Sequence, residues 1–346
     1  MMIIHIHFHF RATGVTRSIE NIFPFLNKYS EARVFGYGIK APKISLFLLL
    51  RHIYSSKNTV IHTHRNNEII FALVLRLLRG KFKLVFTRHA ESKPSKFTCF
   101  LMKKADHLVS LSSSMAKRLP FKNTLIRHGV NTEIFKIQDK IKIDNIPQEN
   151  LITAIGRLRP AKGQLVVLEA LISLLKNNPG WGLMLIGKAD DKEYAGKISS
   201  MALENGISRQ VHLIPESSRI VDYYRASTVV AIASVSEGFS LVCLEAMSCG
   251  LITIATDSVG IHSEVIKHGE NGFLFAVNDH ESLSRIFTDI INKKIVLDPE
   301  KIRKTILDNW SVEQNVRALM RLYGNKPHPP TPSPRREGEL NIGNKT

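Results

Sequence analysis

Short apolar runs rich in β-branched residues, each followed by a stretch of helical periodicity, recur along this 346-residue chain and leave few architectures open to it. In the second half the runs are LITAIG (151–156), GLMLIG (182–187), VHLIP (211–215), TVVAIAS (228–234) and LITIAT (251–256). Continuous apolar strands of this length are buried on both faces, as in a parallel sheet covered by crossover helices. The first half offers IIHIHFHF, NTVIHTH (58–64), KLVFTRH (83–89) and HLVSLS (107–112), with Ile19, Ile22, Phe23 and Leu26 marking the apolar face of an early helix. Two such series without a short repeat predict an α/β protein of two facing Rossmann-like halves with parallel sheets and a cleft between them. At 44% hydrophobic residues each half can bury its own core. The expected units are 1–140, a polar hinge at 141–150 within KIQDKIKIDNIPQEN, a second domain at 151–310, a helix at 311–324 and a disordered Pro-rich tail at 325–346.

Charge divides the halves. Residues 1–140 carry 24 Lys and Arg against 7 Asp and Glu, a net +17, and the remainder carries 24 against 23, a net +1. Such an asymmetry draws anionic partners to the first half. Nucleic acid is not expected, because no aromatic stacking motif or nucleic-acid module accompanies the charge. The apolar runs ISLFLLL and IIFALVL fall far below the roughly 18 residues that cross a bilayer and read as buried crossover helices. The first residues lack a basic flank and cleavage site, and Cys99, Cys243 and Cys249 form no C-x-x-C, so a reducing cytoplasm is expected.

The chemistry concentrates in SEGFSLVCLEAMSCG (236–250), where Glu237 and Glu245 stand eight positions apart around a strand-to-helix junction that Gly250 closes as a C-terminal cap. On one ideal helix that spacing would leave the pair about 80° apart, so a shared helical face explains it poorly. A junction reaching different hydroxyls of one long ligand explains it better. The helix start itself, at Gly238, Phe239, Ser240 and Leu241, is a seat for phosphate at the carboxyl edge of the sheet.

This junction resembles that of the retaining GT-B glycosyltransferases of family 4, group 1, whose shared motif is Glu, seven residues, Glu. The resemblance continues through AIGRLRPAKGQLVVLEA (154–170), IRHGVNTEIF (126–135) and TIATDSVGIHSEVIKHGENGFLF (253–275). It implies a nucleotide-sugar donor, no resident cofactor or metal, and a C-terminal helix that packs back on the first half. Arg157 and Lys162 would hold the donor diphosphate with the amides near Phe239 and Ser240. Glu245 would bind ribose hydroxyls, and Glu237 would position the donor sugar. His89 would face that sugar, and Gly14, in TGVTRS, would let backbone approach the substrates. His62 and His64 fall at another strand end, where supporting the cleft is as plausible a role as contact. Leu251 and the single Gly260 depart from the family pattern and leave the sugar open.

The TGVTRS loop is similar to that of bacterial lipopolysaccharide-core mannosyltransferases. GDP-mannose is therefore the donor expected first, and an anionic glycolipid or glycan the acceptor. A soluble enzyme with a small acceptor would share the donor motifs. His5, His7 and His9 share one strand face but lie too far apart in line to close a tetrahedral metal site. Lys93, Lys96, Lys103 and Lys104 accompany Phe97, Phe100, Leu101 and Met102 in a segment that fits either an ordinary half-buried helix or peripheral contact with the cytoplasmic face of the inner membrane.

Overall fold

The computed structural model describes residues 1–10, 13–55 and 58–324, so the tail expected at 325–346 lies outside the described residues. The first sheet is built from β1 (Met2–Phe8), β2 (Glu31–Tyr37), β3 (Thr59–Thr63), β4 (Lys83–Thr87), β5 (His107–Ser110) and β6 (Thr124–Leu125), all parallel, in the order β2-β1-β3-β4-β5-β6. Its crossovers are α1 (Gly14–Leu26), α2 (Leu46–Ser55), α3 (Asn66–Leu77), α4 (Lys96–Met102) and α5 (Ser113–Arg118). Alternation along the strands assigns the faces. Ile3, Val60, Val85 and Val109 pack under α1, whereas Ile4, Ile6, Ile61, Leu84 and Phe86 pack under α2, α3 and α4.

The second sheet holds β7 (Asn150–Ile155), β8 (Trp181–Ile186), β9 (Val211–Ile214), β10 (Val229–Ile232), β11 (Ile252–Thr256) and β12 (Phe273–Phe275), in the order β12-β11-β10-β7-β8-β9. Its helices are α6 (Gln164–Asn177), α7 (Lys192–Glu204), α8 (Ile220–Ala226), α9 (Leu241–Ser248), α10 (His262–Val265), α11 (His280–Ile291) and α12 (Pro299–Asn309). The strand order reverses between β7 and β10, and in open α/β sheets that is where ligands collect. A last helix, α13 (Val312–Tyr323), buries Val316, Leu319, Met320 and Tyr323 against the core of the first sheet beside α1.

Two features differ from the sequence reading. The segment 141–150 is not a free hinge, since Ile141, Ile143 and Ile146 pack against Leu151, Met184 and Ile186 of the second domain. The chain crosses between the halves earlier, where Val130 donates its N–H to Trp310 and accepts one from Val312, so both crossings run side by side. The run ISLFLLL is helical from Leu46 and IIFALVL throughout, and both are only half buried. Leu49, Ile53, Ile69, Ala72 and Leu75 face the sheet, while Leu46, Phe47, Val74, Leu77 and Leu78 stand in solvent. A crossover helix on a single sheet has one face to bury, and here the outer face is apolar as well.

Candidate active site

The turns after β7 and β10 meet at the switch point. Pro160–Lys162 forms one 3₁₀ turn, and Gly163 ends it at φ +67°, with an added Cβ falling 2.0 Å from the Ala233 carbonyl oxygen. Only glycine lets this turn press against the end of β10. Lys162 is thereby delivered to Glu237, and its ammonium pairs with the carboxylate, which also accepts from Ser234 Oγ at 2.8 Å. Arg157 reaches Asp190 at 3.1 Å.

Downstream of Glu237, Gly238 approaches the other half so closely that a Cβ there would lie 2.1 Å from the His89 carbonyl oxygen. The helix α9 then begins. Ser240 occupies its N-cap position, but its side chain makes no capping bond, its Oγ is buried without a partner among the described residues, and the first turn holds no acid. Amides normally satisfied by a cap are left for an anion. Glu245, one turn inside α9, accepts from Tyr224 Oη at 2.8 Å. Burial raises its carboxyl above the ordinary range, while the Tyr224 hydrogen bond and the charge of Arg17 pull it back.

The ten expected catalytic and donor-binding residues, Gly14, His89, Arg157, Lys162, Glu237, Gly238, Phe239, Ser240, Leu241 and Glu245, line one cleft of about 410 Å³ between the two halves, whereas His62 and His64 lie beneath it. Gly14 is the first residue of α1, capped by Thr13, and a Cβ there would meet no atom within 4 Å among the described residues beyond its own turn of chain. The cleft walls are tied at several points that sequence reading missed. Arg17 pairs with Glu216 at 2.7 Å across the mouth, and Arg127 pairs with Glu264 at 2.7 Å, the latter also accepting from the Ser113 N–H at 2.7 Å. Glu68, fully buried, accepts from the N–H groups of Phe8, His64 and Arg65, and Arg65 reaches Thr13 Oγ1 at 3.0 Å, which braces the loop before Gly14. The glutamate three residues after an N-cap position was the available signal for that brace.

The histidines group differently from the single-strand row considered above. His7 bonds the Tyr37 carbonyl at 2.7 Å and Thr16 Oγ1 at 3.1 Å, whereas His5 turns to His64 at 3.0 Å. Nitrogens of His5, His62 and His64 come within 4.8 Å of one another, but both nitrogens of His62 are taken, by Thr87 Oγ1 and Tyr323 Oη at 2.6 Å each. His89 does not hold an open imidazole toward the cleft, since its Nε2 lies 3.0 Å from His64 and its Nδ1 3.5 Å from His128.

Two Rossmann-type halves closing on a cleft with an uncapped helix start, two cations and a pair of glutamates are the constellation of a GT-B glycosyltransferase. Residues 136–306 match the family described as glycosyl transferases group 1, and the chain is a member of that enzyme class. It is 29% identical over 336 residues, 92% of its length and 95% of the relative's, to the lipopolysaccharide core biosynthesis mannosyltransferase LpsB of Rhizobium meliloti (strain 1021). The corresponding enzyme LpcC of Rhizobium leguminosarum bv. viciae is also 29% identical over 336 residues, covering 93% of this chain and 95% of that one. Among solved structures, Anabaena HepE in complex with UDP superposes with a TM-score of 0.76 at 18% identity, covering 94% of this chain and 100% of the other. The lipopolysaccharide outer core galactosyltransferase WaaB in its apo form gives 0.69 at 19% identity, covering 94% and 99%.

Proposed function

We propose that the protein is a retaining transferase that moves a hexosyl unit from a nucleotide sugar, GDP-mannose in the first instance, to a lipopolysaccharide-core or related envelope glycan at the cytoplasmic face of the inner membrane. The observation that carries the donor half is the uncapped start of α9 beside Lys162 and Arg157. Breaking the anomeric bond leaves negative charge on a diphosphate, and preorganised amides and cations stabilise it where it develops. Glu237, held by Lys162 and Ser234, is suited to accepting hydrogen bonds from sugar hydroxyls rather than to free attack. Glu245 has one oxygen engaged by Tyr224 and the other available to a ribose diol. Closure of the halves excludes water that would hydrolyse the donor. No resident metal is required in this scheme.

The names of the two mannosyltransferase relatives support the sugar and acceptor. The membrane face is supported by the outer surface of α2, α3 and α4, where Phe47, Leu77, Leu78, Phe97 and Phe100 are exposed among Arg51, Arg79, Lys96, Lys103 and Lys104. Among the described residues no helix is long and apolar enough to cross a membrane.

A thermal-shift screen against GDP-, UDP- and ADP-sugars tests the donor. A ligand at a hundred times its Kd adds about 2.7 kcal/mol to the native state, so GDP-mannose should raise Tm most. A shift with a UDP-sugar alone overturns the donor assignment, and no shift with any of them overturns the donor site.

A further inference from the structure

Four histidines from separate segments form one hydrogen-bonded row beneath the cleft. His5 Nδ1 lies 3.0 Å from His64 Nε2, His64 Nδ1 lies 3.0 Å from His89 Nε2, and His89 Nδ1 lies 3.5 Å from His128 Nε2. Each contact joins the δ nitrogen of one ring to the ε nitrogen of the next, so the row has a direction. Parallel strands in register make this possible, because His5 on β1 stands opposite His62 on β3, and the strand ends that follow place His64 and His89 on the same side of the sheet.

A neutral imidazole carries one N–H and one lone pair. The three contacts can therefore be satisfied in two ways only, with every proton on Nε2 or every proton on Nδ1. The ends of the row decide between them. Nε2 of His5 is buried against the core with no partner among the described residues. A proton there would strand an N–H donor in the interior, whereas the other arrangement leaves only a bare lone pair, and orphaned buried N–H groups are the rarer of the two. His128 at the opposite end lines the cleft and meets Phe239 of the second domain edge-on, with ring centroids 5.1 Å apart. Burial keeps the row neutral, lowering His5 to about 3 and His128 to about 4, with His64 and His89 also pushed well below the usual imidazole range.

We propose that His5 fixes the tautomer of the whole row, so that His89 has neither ring nitrogen free and His128 presents a constant Nδ1–H donor at the cleft wall. His5 is then a positioning residue acting over three rings, and His128 is the histidine that meets an oxygen acceptor of the substrates, a sugar hydroxyl or a phosphate oxygen. This assignment rests on reading the cleft as the site of glycosyl transfer, but the tautomers themselves do not.

The test is a long-range ¹H–¹⁵N correlation spectrum of the full chain labelled at histidine, in which Nδ1–H and Nε2–H rings differ. The expected result is Nδ1–H at His64, His89 and His128. His5→Leu should release His64 and His89 into mixed tautomers and lower kcat roughly tenfold with donor KM unchanged, less than the ~10²-fold loss of a direct donor. His5→Asn, whose amide can donate from the same position, should restore both. Nε2–H rings in the wild type overturn the proposal, even if the leucine variant fails to fold, as do unchanged tautomers in His5→Leu. A tautomer pattern as expected with no transferase activity would leave the row standing and remove the glycosyl-transfer reading instead.

Discussion

Lys162 and Glu237 form an ion pair across the switch point of the second sheet, the lysine on the turn after β7 and the glutamate on the loop after β10. Their side chains are only 18% and 13% exposed, so each charge depends on the other. Lys162→Ala should cost about 1–3 kcal/mol of stability by leaving a half-buried carboxylate short of a partner. It should lower kcat by about 10²-fold, more than it weakens donor binding, because it removes charge stabilisation that grows during bond cleavage. The double change Lys162→Met with Glu237→Gln should recover stability without activity. Urea unfolding and steady-state kinetics separate the two effects, and unchanged turnover in Lys162→Ala would remove this residue from the mechanism.

The two cleft glycines answer different questions. Gly14→Ala introduces a methyl group into space where no described residue beyond its own turn of chain comes within 4 Å, so Tm should stay put while donor or acceptor KM rises. Gly238→Ala drives a Cβ to within 2.1 Å of the His89 carbonyl and should hold the halves apart, lowering kcat and widening the molecule in small-angle scattering. Normal kinetics in both variants would place the substrates elsewhere.

Acid should unfold the first domain before carboxylates titrate. His5 and His128 are held neutral in the fold, at about 3 and about 4, by burial, whereas the unfolded chain protonates them near 6.5. Stability is therefore complete above that value and falls as pH drops toward 4, by about 1.4 kcal/mol per pH unit for each such histidine. Unfolding free energies from urea melts should fall between pH 7 and 4.5, with a slope that approaches two protons below about pH 6 from these two histidines. A flat profile would mean that these rings are already charged or solvated in the native state.

Phe97 and Phe100 project from α4, 55% and 56% exposed, between lysines on either side. Phe97→Asp with Phe100→Asp should abolish flotation with anionic liposomes while changing stability by less than about 0.5 kcal/mol for each site. Hydrolysis of soluble donor should persist. Flotation that survives the double change, or never occurs in the wild type, contradicts a membrane role for this face.

Central strands were legible because burial on both faces leaves short β-branched runs almost free of charge, continuous in β7, β8, β10 and β11 and broken by histidine in β1 and β3. The strands that escaped notice, β2, β6 and β12, are all sheet edges. In EARVFGY of β2 only Ala32 and Val34 are buried, and β6 and β12 span two and three residues. At the site, the residue types around Glu237 and Glu245 were readable, since a strand-to-helix junction is local. Their partners were not, because the pairing of Lys162 with Glu237 spans 75 positions and depends on the crossover that brings β10 beside β7. The histidine row shows the same limit. Strand-end histidines are visible in NTVIHTH and KLVFTRH, but only register reveals that they touch.

The proposed transfer requires a diphosphate to be held between the start of α9 and Lys162. The most direct measurement is a calorimetric titration of GDP, or whichever nucleoside diphosphate the thermal screen selects, into the wild type and Lys162→Ala, with the bare nucleoside as control. The diphosphate should bind the variant about 10- to 100-fold more weakly, as loss of a charge-assisted contact requires, with nucleoside affinity unchanged. Equal diphosphate affinity in the two proteins would contradict it.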